Sequence, residues 1–342
     1  MPLLVPGRSH ESLTNSTDSA LLGFYIHIVQ GTVLITSNGL ILSTILWHQL
    51  LRQKKEYTIV GALSLADLCQ ACGFLSAGIY RSLVVQTRTA DTLVSSWHCT
   101  LLPHNLFFLF GTPLSSTMLV CIAIDRLICV SNPLGYFGYT RTYSLLLVSI
   151  FYGYSFLFGL ANIWLAYGLP RVGRHSAVCW VGAVFSAEWI KILSGFSVVL
   201  FAYCSVLIYI AVIVVYKKRN KNSVQPYVSP ASAQSQNQKL QDKLVTTVGL
   251  STLCNFFFVA IGFKVVVVVT CCAGPNLWAI AYPIVDAYMN LNSFMNLFLF
   301  AFRHRELRIG MSFMFKGKVL TEAALKHQQQ KSSDVALGAL ET

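Results

Sequence analysis

The chain has 342 residues, of which 55% are hydrophobic and only 11% charged, with a formal net charge of +12. Soluble domains carry roughly a quarter charged residues, so composition excludes an ordinary soluble domain. The basic balance raises nucleic acid as a partner, but the placement of the charges along the chain argues against that and for a membrane surface.

The opening stretch, "MPLLVPGRSHESLTNSTD", has no apolar core long enough for a cleaved signal peptide. Residues 1–20 read as an extracellular segment, and Asn15 in "NST" is a glycosylation acceptor. The first apolar run then acts as an uncleaved anchor. Seven such runs follow, near residues 22–48, 58–83, 98–130, 142–167, 188–216, 243–270 and 276–302. Three stretches (92–124, 142–170 and 192–216) contain no Asp, Glu, Lys or Arg. A helix needs roughly 20 mainly apolar residues to span a bilayer. The expected architecture is therefore an all-α membrane protein, a seven-transmembrane helix bundle over 21–302, since each helix satisfies its own backbone in lipid. The inner loop 217–242, with "SVQPYVSPASAQSQNQ" at its centre, reads as a flexible linker.

With the amino terminus outside, the inner loops and tail hold 18 Lys/Arg and the outer side 6. This is the positive-inside asymmetry, and it orients the chain as a multi-pass plasma-membrane protein with a cytoplasmic carboxyl terminus. In 303–315, Leu307, Met311, Met314 and Phe315 share one helical face opposite Arg305. The expectation is a short amphipathic eighth helix on the inner membrane surface, with a disordered tail over 316–342. A frayed end of the seventh helix is the alternative.

Three charged positions stand out within these runs. Asp125 and Arg126 interrupt "CIAIDRLICV". A guanidinium has five donors and stays charged, so it needs partners or a route to the interface. Asp67 lies mid-span, where an unpaired carboxylate is costly. Lys264 lies between chargeless runs over 244–263 and 265–285, with Asp286 as its nearest candidate partner. That pair reads either as a site for a polar or anionic ligand group, or as an internal salt bridge with Lys264 free to snorkel. Phe107, Phe108 and Tyr288 read as lining the same cavity or as ordinary packing.

No inverted repeat, filter motif or Arg-repeat sensor supports the rival class, a transporter or channel. No metal-ligand cluster, phosphate loop or nucleophile motif supports an enzyme.

Several motifs, in order, resemble the rhodopsin-like G-protein-coupled receptors over about Gly31 to Phe315. Asn38 in "TSNGLIL" and Asp67 in "LSLADL" match the family's first- and second-helix residues. Asp125-Arg126 matches Asp-Arg-Tyr, with Leu127 for Tyr, and Pro133 matches the following loop. In "NLNSFMNLFLFAFRHREL" Asn296 is kept, Leu297 replaces Pro and Phe300 replaces Tyr. More narrowly, "CTLLPHNLFFLFG", "MLVCIAIDRLICVSNPLGY" and "AVCWVGA" look like the nematode serpentine chemoreceptors of the Srsx class. An invertebrate peptide receptor is the near neighbour.

The resemblance implies a chemosensory receptor with a small-molecule ligand, a heterotrimeric G protein as partner, and membrane lipid around it. A neuropeptide receptor is the alternative. It implies that Asp125 holds Arg126 at rest and that Asn296 and Phe300 belong to the same coupling machinery. It aligns Ser115, Asn292, Ser293 and Asn296 beside Asp67 as a candidate sodium site. Hard oxygen donors suit such an ion, and a hydrogen-bonded network with Asp67 protonated or hydrated is the alternative. Of ten cysteines, the family joins those at Cys99 and Cys179. The amine-binding Asp and retinal Lys positions hold Phe108 and Asn290, against both of those classes. The sixth run lacks Cys-Trp-x-Pro and the fifth lacks any Pro, so a moving sixth helix needs another hinge, such as Gly249 or Gly262.

Overall fold

The structure is a computed structural model describing residues 10–168, 175–180, 188–222, 257–258, part of 284–298, 304–321 and 323–324. Its elements are almost all helical: α1 His10–Trp47, α2 Gln49–Arg52, α3 Lys55–Gln86, α4 Ser96–Leu101, α5 Pro103–Ser131, α6 Pro133–Gly138, α7 Arg141–Tyr167, α8 Glu188–Asn222 and α9 Arg305–Phe315. Within the described residues, five helical stretches are long and apolar enough to cross a membrane: Ala20–Trp47, Lys55–Gln86, Pro103–Ser131, Arg141–Tyr167 and Leu200–Arg219. Large apolar side chains stand on their outer faces, Trp164 of α7 at 77% exposure being the extreme. A water-soluble bundle would bury such groups, and a lipid-facing one need not.

The third run, expected to be continuous from residue 98, is broken. Leu102 is extended because the following Pro103 disfavours a helical conformation before it. Ser95 caps the short α4, its hydroxyl accepting from the His98 N–H at 3.2 Å. Cys99 therefore sits on a separate turn from the helix that carries Arg126. In the outer connections, β1 (Leu93–Val94) and β2 (His175–Ser176) pair antiparallel, Leu93 opposite Ser176 and Val94 opposite His175.

Small residues let the first three spans approach closely. A Cβ on Gly31 would stand 2.5 Å from the Leu75 backbone nitrogen, and one on Gly111 would stand 2.7 Å from that of Gln70. These contacts bring α1, α3 and α5 backbone to backbone, the membrane solution where burial of oil against oil gives no gain.

At the end of the bundle expected to face the cytoplasm, the inner end, Ile41, Ile45, Leu51, Tyr57, Leu63 and Met118 pack with Leu307 and Met311 of α9. The buried side of α9 is Leu307, Gly310 and Met311, with Met314 reaching the Thr44 hydroxyl. Ile309 and Phe313 pack against the same core, whereas Phe315, expected on the buried face, is 73% exposed. The start of the tail, expected to be disordered, is instead ordered through Leu320. Gly317, at φ 63°, reverses the chain after α9, and the Lys318 N–H returns to the Phe313 carbonyl at 2.9 Å. Leu320 is then buried at 2% exposure, its N–H donating to His48 Nδ1 at 3.0 Å.

Candidate functional site

Near the inner end of α5, Asp125 and Arg126 are both buried, and Arg126 Nη2 meets Asp125 Oδ2 at 2.5 Å. Nε and Nη1 of Arg126 have no hydrogen-bond partner among the described residues. A buried guanidinium with most of its donors unused is expensive and keeps capacity for a second set of acceptors. The Tyr136 hydroxyl donates to both oxygens of Asp125, at 3.2 and 3.3 Å. Burial pushes the Tyr136 phenol above its ordinary range, with Arg126 opposing, so the hydroxyl remains a protonated donor.

Tyr136 is carried by α6, which Asn132 caps by accepting from the Gly135 N–H at 3.0 Å. Lys55, at the start of α3, donates to the Tyr136 carbonyl and to the Tyr139 carbonyl at 3.3 Å. Its ammonium also stands 3.7 Å above the Tyr136 ring. The neighbouring Lys54 turns the other way and grips both oxygens of Glu306 on α9, at 2.6 and 2.7 Å. Leu127, in place of the family's Tyr, packs against Val130, Tyr209 and Val212 between α5 and α8. Arg219 of α8 donates to the Val130 carbonyl at 3.1 Å.

Midway through the bundle Asp67 is buried and accepts from the Ser115 hydroxyl. Ser293, in the seventh run, is also buried. One turn farther out, Gln70 donates to the side-chain oxygen of Asn290 at 2.9 Å, tying α3 to the seventh run.

At the outer end Cys99 and Cys179 are joined by a disulfide. Arg81 of α3, buried at 2% exposure, donates to the carbonyls of Val178 and Cys179, each at 3.3 Å, and its guanidinium stands 4.6 Å over the Trp180 ring. Tyr80 donates to the Ala177 carbonyl at 3.0 Å, and Asn105 to the Cys99 and Cys179 carbonyls at 2.7 and 3.3 Å. Phe24, Val84, Ala177 and Val178 close an apolar patch beneath this strap.

The structure thus joins Asp125 with Arg126, Asp67 with Ser115, and Cys99 with Cys179. Phe108 is buried edge-on against Phe74, with ring centroids 4.9 Å apart, whereas Phe107 is 37% exposed on the adjoining face of α5. Tyr288 meets Phe258 edge-on at 5.1 Å. Asn15 falls within α1. Lys264, Asp286, Asn292, Asn296 and Phe300 lie outside the described residues, as do Gly249 and Gly262. Sequence reading did not single out Arg81, Lys55, Tyr136 or the Gln70–Asn290 pair. A signal existed for Arg81, since a cation within an apolar helix needs partners. None existed for Tyr136, whose role depends on where a six-residue helix docks.

Asn38, Asp67 and Asp125-Arg126 follow one another on spanning helices, with Pro133 at the start of α6, and the "7 transmembrane receptor (rhodopsin family)" pattern matches residues 37–300. The chain belongs to this family. Rhodopsin-family receptors are multi-pass membrane receptors, and the family is not one of enzymes. Among the curated proteins, none matches the chain significantly. In this receptor the matched region includes every spanning helix described above except the outer part of α1.

Proposed function

We propose that this receptor lies in the plasma membrane with its amino terminus outside, and couples ligand binding in its outer half to nucleotide exchange on a heterotrimeric G protein. The carrying observation is the buried Asp125–Arg126 pair, with Arg126 Nε and Nη1 unpartnered among the described residues. One acceptor set holds Arg126 at rest, and the incoming helix of a Gα subunit supplies another. Two partner sets for one cation make the bistable element that allostery requires. Asn296 and Phe300 belong to the same switch, and α9 lies on the inner membrane surface.

The proposed ligand is a small environmental chemical, as in the Srsx chemoreceptors, with a peptide second. Lys264, Asp286, Phe108 and Tyr288 line its site, with Phe107 at the margin. Asn15 carries glycan.

A second-messenger screen tests the reading. Cells supplied with a promiscuous Gα carry wild type or Arg126→Ala at equal surface density. Small volatile compounds, water-soluble compounds and peptides are applied. The expected outcome is a response that falls at least tenfold in the variant; an equal response in both defeats the role given to Arg126.

Asp67, Ser115 and Ser293, with Asn292 and Asn296, form a proposed sodium site between the two ends. The buried carboxylate beside a hydroxyl is the kind of oxygen set a hard monovalent cation takes. Asp67→Asn then abolishes the sodium dependence of agonist affinity. Unchanged sodium dependence in that variant leaves a hydrogen-bonded network as the reading of these residues.

A further inference from the structure

The inner end contains a residue that touches neither Asp125 nor Arg126 and yet holds the group that does. Lys55 meets α6 at three points: the Tyr136 carbonyl, the Tyr139 carbonyl at 3.3 Å, and the Tyr136 ring at 3.7 Å. The first two contacts place an ammonium at the carboxyl end of a short helix, where the helix dipole favours positive charge; the Tyr136 carbonyl, which already accepts from the Tyr139 N–H at 3.1 Å, gains a second donor. The third fixes the ring itself. A six-residue helix has little stability of its own, so its position is set by what grips it. The ring so held carries the hydroxyl that reaches Asp125 at 3.2 and 3.3 Å.

We propose that Lys55 is a positioning residue for the switch: by holding α6 it directs the Tyr136 hydroxyl onto Asp125 and thereby sets how readily Arg126 is released. The inference rests on the receptor reading above. A hydroxyl donated to a carboxylate draws off part of its charge and weakens its pull on a guanidinium. With that hydroxyl withdrawn, Asp125 holds Arg126 more tightly and the resting state is favoured. Lys55 thus lowers the barrier to release without entering the ion pair.

Arg141 and Glu56 are the other charged groups nearest in sequence to this corner. Neither appears in the hydrogen bonds that bind α6 among the described residues. Tyr143 completes an aromatic group with Tyr139 (4.9 Å) and Tyr136 (6.3 Å) that supports the ring from the α7 side. The ring keeps this support in a Tyr136→Phe variant, which removes the hydroxyl alone.

The test is a double-mutant cycle on the full-length chain. Lys55→Met, Tyr136→Phe, the double variant and Lys55→Arg are compared with wild type. Two readouts are used: ligand-free nucleotide exchange on a purified G protein carrying a promiscuous Gα, and the melting temperature of purified receptor. The expected result is a fall in basal exchange of about three- to tenfold in Lys55→Met and in Tyr136→Phe, the size of one modest hydrogen bond. The double variant falls no further than either single one, and Lys55→Arg stays near wild type. Melting temperatures show the same non-additivity. Additive losses in the double variant, or a Lys55→Met receptor indistinguishable from wild type while Tyr136→Phe is not, overturn the inference. If wild type drives no ligand-free exchange, the coupling reading is left to the ligand screen above, and the melting-temperature cycle decides the positioning role alone. Non-additive losses then sustain that role and additive ones reject it.

Discussion

The two ends of the helix bundle are held by different chemistry. The outer end is fastened by a covalent bond, a two-residue strand pair and an arginine bonded to main-chain carbonyls. The inner end also has main-chain grips, from Lys55 and Arg219, but adds links from side chain to side chain: Lys54 to Glu306, Tyr136 to Asp125, Asp125 to Arg126. Main-chain carbonyls belonging to a disulfide-tied loop have nowhere else to go. Carboxylates and ammonium groups on separate helices exchange partners when those helices move. On the proposed function, the outer contacts are a fixed frame and the inner ones a set of alternatives, which is the arrangement a two-state transducer needs.

The most damaging change to this contrast is at Arg81. Arg81→Met removes the Arg81 donor from the Val178 carbonyl, leaves the Cys179 carbonyl to Asn105, and takes the cation from the Trp180 ring. The expected loss is about 2–4 kcal/mol of stability, since buried hydrogen bonds from a charged donor are among the stronger ones. It is read as a fall in melting temperature with faster amide exchange at 177–180. Arg81→Lys recovers only part, because one ammonium cannot match a planar fork. If Arg81→Met leaves exchange at 177–180 slow, the disulfide alone makes the outer frame and the arginine adds nothing.

The sequence carried much of this architecture and less of its chemistry. Long chargeless runs such as 142–170 read as membrane spans, because they are mainly apolar, carry no charge and are long enough to cross a bilayer. Asp125, Arg126 and Asp67 announce themselves by the cost of charge in an apolar run. Lys55 and Tyr136 do not. A lysine at the start of a helix and a tyrosine after a Pro-Leu-Gly are ordinary, and only docking of α6 brings their groups within reach. Leu320 was misread for a related reason. Polar composition predicts disorder for the tail, but a glycine turn after α9 and one buried leucine suffice to bring its first residues back onto His48. The break at Leu102 was legible, since a proline follows it, and went unread because the apolar pattern continues across it.

The smallest expected effect sharpens the inner half of the comparison. Lys54 and Glu306 meet at 2.6 Å, yet their side chains keep 38% and 26% of their exposure. A pair so open to solvent contributes only about 0.2–1 kcal/mol, because water and salt screen it and two long side chains must be ordered to form it. Lys54→Met should therefore lower the melting temperature by no more than a degree or two, with the difference shrinking further in high salt. Lys55→Met, one residue away and removing the same charge, should instead move basal exchange several-fold. Adjacent lysines with similar loss of charge and unlike consequences are what the geometry requires, since one reaches a helix that only packs and the other reaches the helix that carries Tyr136. Matched effects of the two variants on exchange would mean that the inner end responds to its total positive charge, and that the particular contacts of Lys55 are incidental.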